Sequence, residues 1–160
     1  MFENIYKLLF FTLFIINLVQ FALNHLKKPV KSYQTLKNPV LYLIINNDLK
    51  MSKGKILSQV CHLISEIFTT FLKEHVGVIK DWKKKGEAKI VLKASFQNIK
   101  DIIKNVENYN NLIDKNSQLK ITRIHDAGRT QVAPGSLTVI SIGPCEKEIA
   151  SKFVADLKMY

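Results

Sequence analysis

At 160 residues, 47% of them hydrophobic, the chain has room for one domain with attachments and enough apolar material for a core. Lys and Arg number 24 against 13 Asp and Glu, a net charge of +11, and the excess persists beyond residue 38, which favours a polyanion or an anionic membrane surface as partner. Two cysteines, Cys61 and Cys145, without a second cysteine at metal spacing, and four scattered histidines exclude a disulfide scaffold and a zinc site.

Residues 5–26, IYKLLFFTLFIINLVQFALNHL, are the most apolar part of the chain. As a helix they would span about 33 Å at ~1.5 Å per residue, the thickness of a bilayer core. Lys7 lies close enough to one end to snorkel, and Asn17 and Gln20 weaken the pattern without breaking it. Lys27, Lys28, Lys31 and Lys37 follow, so the positive-inside bias places the rest of the chain on the cytosolic side. A cleaved signal peptide calls for a basic start and a small-residue cleavage site. A mitochondrial matrix presequence calls for arginines, and the first arginine is Arg123. The expected organisation is a membrane anchor over 1–26, a basic linker over 27–38 and a folded domain over 39–160.

Within the domain, VLYLIIN (40–46) is an apolar run of strand length that suits a strand buried on both faces. Ser52 is a candidate N-cap for a helix reaching about residue 73. Ile56, Val60, Leu63, Ile64, Ile67, Phe68 and Phe71 supply its apolar stripe, and Lys55, Gln59, His62 and Glu66 the polar stripe beside it. A second strand (88–94) and a second amphipathic helix (96–109) follow, then strands over 118–125 and 137–143 and a last helix over 146–158. The order β-α-β-α-β-β-α predicts an α/β fold, a mixed four-stranded sheet flanked by helices in a three-layer sandwich. The helix-free connection between the last two strands predicts an antiparallel pair there.

Ligands of open α/β sheets bind beyond the carboxyl ends of parallel strands. Two loops qualify, LKMSKGK after the first strand and DAGRTQVAPGS after the third. If those strands run in the same direction the loops converge, gathering Lys53, Lys55, Asp126, Arg129, Thr130 and Thr138, with Gln59 and His62 further along the helix. No G-x-S-x-G, Cys–His order or P-loop accompanies them. Cations, hydroxyls and one carboxylate suit charge stabilisation and water positioning at a carbonyl or phosphate better than covalent catalysis. Taken singly, each has a blander role: Asp126 a turn former, the threonines loop hydroxyls, the lysines a solvated surface, and Trp82 a core or lid aromatic.

Together, NDLKMSKGKILSQVCH, DAGRTQVAPGSLTVISIGP and the intervening W…G…KIVLKA are specific, and the chain from about residue 40 to its end resembles the archaeal and eukaryotic class of peptidyl-tRNA hydrolase. The resemblance implies hydrolysis of the ester joining peptide to the 3′ ribose of tRNA, without cofactor or metal, on a mixed four-stranded sheet, commonly as a homodimer. A eukaryotic branch of that class carries an N-terminal hydrophobic segment associated with mitochondria. Carried over to this chain, the implied catalytic set is Lys55, Asp126, Thr130 and Thr138, supported by Gln59 and His62. Lys53 and Arg129, with Lys83, Lys84 and Lys85, fall to contact with the tRNA backbone. One departure concerns affinity: an arginine is usual where this chain has Asn46, two residues before Asp48. The alternative is an inactive, membrane-anchored adaptor for RNA or protein on the same fold, but an adaptor need not keep the catalytic set together.

Overall fold

A computed structural model describes residues 2–26 and 35–160, so most of the expected linker lies outside the described residues. The chain forms two compact units, one of residues 1–32 and one of residues 33–160. The first contains helix α1 (Phe2–Leu26). Its stretch Ile5–Leu23 is long and apolar enough, by length and composition, to cross a membrane. Two of its polar side chains turn back on the helix, Thr12 donating to the Leu9 carbonyl (2.8 Å) and Asn17 to that of Leu13 (2.9 Å).

The second unit is built on strand β1 (Pro39–Asn46), whose eight residues are all buried. Successive side chains leave a strand on opposite faces. Val40, Tyr42 and Ile44 therefore join one core, with Ile99, Ile102 and Val106 of helix α4 (Phe96–Asn110). Leu41, Leu43 and Ile45 join the other, with Ile56, Leu63, Ile67 and Phe71 of helix α2 (Lys53–Glu74). Two apolar cores on the two faces of one sheet make the three layers. The remaining strands are β2 (Lys89–Ala94), β3 (Ile121–His125), β4 (Leu137–Glu146) and β5 (Lys158–Met159), in the order β3-β4-β1-β2-β5. β1 pairs parallel with β2 and antiparallel with β4, which pairs antiparallel with β3. β1 and β3 consequently point the same way although β4 separates them.

Three elements differ from expectation. The sheet has five strands, not four, because the chain end returns to the open side of β2, pairing Met159 with Leu92 and donating the Tyr160 N–H to the Val91 carbonyl at 3.0 Å. The helix expected over 146–158 shrinks to one turn, α5 (Lys147–Ala150), and a 3-10 turn over Ser151–Phe153. Ala150 and Val154 are still buried in the α4-side core, so the apolar spacing is satisfied without a longer helix. After α2 a separate helix, α3 (Val76–Lys84), closes the sheet, and its Trp82 is fully buried with the indole N–H donated to the Ala88 carbonyl at 3.0 Å. Trp82 is thus a core residue. Burial pushes the Cys145 thiol up to about 12, while Cys61 is exposed.

Candidate active site

The N-terminus of α2 opens where β1 ends, after a 3-10 turn over Asn47–Leu49. Ser52 caps the helix, its Oγ accepting from the Lys55 backbone N–H at 3.4 Å. Gln131, from the loop between β3 and β4, fastens that loop to the cap. Its carbonyl accepts from the Ser52 N–H (2.9 Å) and its amide donates to the Ser52 hydroxyl (2.7 Å). Nothing in the sequence marks Gln131, since an amide in a loop carries no signal until its partner, some eighty positions away, is known.

Asp126 follows β3 directly and is 8% exposed. Its backbone is fixed on both sides, the N–H donating to Ser136 (2.9 Å) and the carbonyl accepting from Gly135 (2.8 Å). The carboxylate is fixed as well. Oδ1 accepts from the Lys55 ammonium and from the Gln59 amide at 2.9 Å, and Oδ2 accepts from the Gly128 N–H at 2.8 Å. The Lys55 hydrogen bond first, then that of Gly128, holds the Asp126 carboxyl below the usual carboxylate range. Gly128 must be glycine: its φ is +75°, and a Cβ there would stand 2.4 Å from Cγ of Pro134.

Lys55 and Gln59 reach one carboxylate because residues four apart lie one above the other on a helix. Behind Gln59 stands Thr138, fully buried on β4. Its hydroxyl lies 2.7 Å from Gln59 Oε1, to which it donates, and 3.1 Å from the Ile124 carbonyl. The amide of Gln59 is thereby held with its nitrogen toward Asp126. Thr138 belongs to the same array but does not line the cleft, and its link to the carboxylate runs through Gln59.

In front of the array is a cleft of about 770 Å³. Lys55, Gln59, Asp126, Arg129, Thr130 and His62 all line it, with Ser58 and Glu66 of α2 and His125 of β3. Arg129 and Thr130 are exposed at its mouth. Lys53 is exposed on α2, but residues two apart on a helix do not share a face, so it points away from Lys55. Lys83, Lys84 and Lys85 do not reach the cleft. Lys83 pairs with Glu87 at 3.1 Å, and Lys85 donates to the carbonyls of Leu36 and Lys37, where the chain enters β1 at the far end of the strand. Asn46 is buried in a structural role, donating to the Leu137 carbonyl (2.8 Å) and accepting from the Asp48 N–H (3.1 Å). Among the described residues no group of three or more His, Cys, Asp or Glu side chains is placed to hold a metal ion.

An ammonium beside an ionised carboxylate, both at the edge of an open cleft, can polarise a carbonyl and orient a water toward it. Residues 39–160 match the family model described as peptidyl-tRNA hydrolase PTH2. A peptidyl-tRNA hydrolase of Methanococcus maripaludis is 42% identical over 118 residues, covering 73% of this chain and 95% of the relative. Proteins named peptidyl-tRNA hydrolase 2, mitochondrial, are 33% identical over 121 residues in Bos taurus and 34% over 120 residues in Homo sapiens, each alignment covering 75% of this chain and 63% of the relative.

Proposed function

The chain belongs to the peptidyl-tRNA hydrolase PTH2 family, and from that premise we infer that it hydrolyses the ester of peptidyl-tRNA at the Lys55–Asp126 pair. The observation that carries the assignment of residues is the convergence of Lys55, Gln59 and the Gly128 N–H on one carboxylate at the cleft wall. The product is free peptide and reusable tRNA.

Each carboxylate oxygen accepts about two hydrogen bonds. Oδ1 of Asp126 already has two and Oδ2 has one, which leaves a position on Oδ2 for the attacking water. Water held there adds to the ester carbonyl carbon, and the carbonyl oxygen becomes an oxyanion. Lys55 turns its ammonium to that oxygen. In doing so it leaves Asp126, whose depressed proton affinity recovers as its principal partner departs, and the carboxylate then takes the proton of the water. Collapse of the tetrahedral intermediate expels the ribose 3′ oxygen, to which Asp126 or Lys55 returns a proton. Thr130 and His62 line the cleft; in this reading Thr130 hydrogen-bonds the water or the ribose, and His62 faces the departing tRNA end.

Many tRNAs and many peptides must be accepted, so the grip on tRNA is electrostatic and rests on Arg129 and Lys53. Neither has a charged partner among the described residues. The linker lysines and α1 support a membrane anchor with the catalytic unit facing the cytosol, and the mitochondrial names of the bovine and human relatives favour a mitochondrial membrane. A homodimer is the assembly that the family resemblance suggests. Nothing in the site favours the adaptor reading.

The test is release of peptide from blocked aminoacyl-tRNA by the full chain beside Lys55→Ala and Asp126→Asn. Loss of a transition-state electrostatic contact costs on the order of a hundredfold in turnover. Near-wild-type turnover in both variants would exclude this pair as the catalytic centre.

A further inference from the structure

We propose that the free edge of β3 is the binding site for the peptide part of the substrate, which docks there as an extra, parallel strand; the proposal rests on the hydrolase reading above. The catalytic cleft does not end at Asp126. A second cavity of about 520 Å³ shares Glu66, Ile124 and His125 with it and continues along β3 to Ile121, with Thr70 of α2 on its other wall. The two together form a groove between a helix and the outermost strand of the sheet.

Among the described residues that strand is unpaired on its groove side, since β3 ends the sheet and pairs there with β4 alone. The ladder identifies which backbone groups are free. The Gly143 N–H donates to the Lys120 carbonyl at 2.9 Å, and the register sets Ile121 opposite Ile142 and Thr122 opposite Ser141. Antiparallel pairs alternate between bonded and non-bonded. Thr122 and Ile124 therefore face β4, while Ile121 and Arg123 turn their N–H and C=O outward. After the register shift at Ile124/His125, Asp126 again bonds across to Ser136 and Gly135, so His125 is also outward. Three residues thus offer a row of main-chain donors and acceptors leading to the catalytic carboxylate.

The occupant follows from covalent connection. A peptide whose carboxyl carbon is being attacked beside Asp126 must leave that point in some direction, and the groove is continuous with it. Its C-terminal end is held at the Asp126 end of β3 and its N-terminal end toward Ile121, so it runs parallel to β3. From Ile121 to Asp126 is about 16 Å at ~3.3 Å per residue, enough for roughly five peptide residues. Pairing through the main chain is also indifferent to side chains, as an enzyme that meets every peptide sequence requires.

The decisive experiment uses the full chain and N-acetylated peptidyl-tRNAs carrying one to eight alanines. We expect kcat/KM to rise by about tenfold or more, a few backbone hydrogen bonds' worth, and to level off near five residues. N-methylation of the five-residue peptide should alternate in effect, removing most of the gain at every second residue and little between them. Arg123→Pro deletes one outward N–H while sparing the bonds to β4, and should bring the five-to-one-residue ratio of kcat/KM toward one, whereas Arg123→Ala should retain it. A flat length series with the one-residue substrate still cleaved would overturn the subsite, leave the hydrolase reading standing, and free the edge for another occupant such as a second copy of the chain. A length effect without alternation on N-methylation would overturn strand pairing as its cause. No cleavage of any substrate would overturn both.

Discussion

Thr138→Val isolates the part of the proposed active site that does not line the cleft. Threonine and valine are nearly isosteric, so the fully buried site is refilled and only the hydroxyl is lost. What goes with it is the 2.7 Å hydrogen bond to Gln59 Oε1 and the longer approach to the Ile124 carbonyl. Gln59 is 3% exposed, so water does not readily replace the donor, and an unsatisfied buried acceptor costs about 1–3 kcal/mol. The larger consequence is orientation. With nothing to hold its oxygen, the Gln59 amide is free to rotate away from Asp126, and a loosened catalytic group costs about ten- to a hundredfold in turnover. Urea denaturation and single-turnover release from a blocked aminoacyl-tRNA measure the two effects, with Thr138→Ser as the variant that keeps the hydroxyl. Stability falling in Thr138→Val while turnover stays at the wild-type level would refute the orienting role. So would equal turnover losses in the Val and Ser variants.

Gly128→Ala forces both a left-handed backbone and a contact with the Pro134 ring, so we expect a loss of about 2 kcal/mol or more in denaturant unfolding together with lower turnover. Wild-type stability would contradict the close approach. The carboxyl of Asp126 titrates below its ordinary 3.8, so its folded-state contribution is fully present above that value and is lost as the pH falls through the lower folded one. The stability difference between wild type and Asp126→Asn should therefore be level at neutral pH and shrink only below the ordinary carboxylate range; a difference already shrinking near neutral pH would show that the ion pair does not form. Binding of tRNA should weaken steeply with salt. Arg129→Gln should reduce the log–log slope by about one, and an unchanged slope would remove Arg129 from the tRNA contact.

Much of the site was legible because its parts are local. Ser52 as a cap, the Lys55–Gln59–His62 stripe and the apolar stripe beside it are statements about helical period, and α2 keeps them. The continuous apolar run of β1 announced burial on both faces, which both cores use. The chain end departs from its local pattern for the same reason. Ile149, Phe153, Val154 and Leu157 fit a helical spacing, but the open edge of β2 offered the last residues hydrogen bonds that a local pattern does not register.

The sequence by itself determined the alternation of elements, the apolar N-terminal helix, the basic excess and the residue types at the two loops, because these depend on neighbours a few positions apart. Tertiary structure alone decided that β1 and β3 point the same way with β4 between them, which brings Lys55 and Asp126 into contact across some seventy residues. It decided that Thr138 bonds to Gln59, that Gln131 clamps Ser52, and that the three lysines after Trp82 lie away from the cleft. Hydrogen bonds and ion pairs act over a few ångströms, and a sequence gives chain separation rather than distance; only the paired sheet converts one into the other.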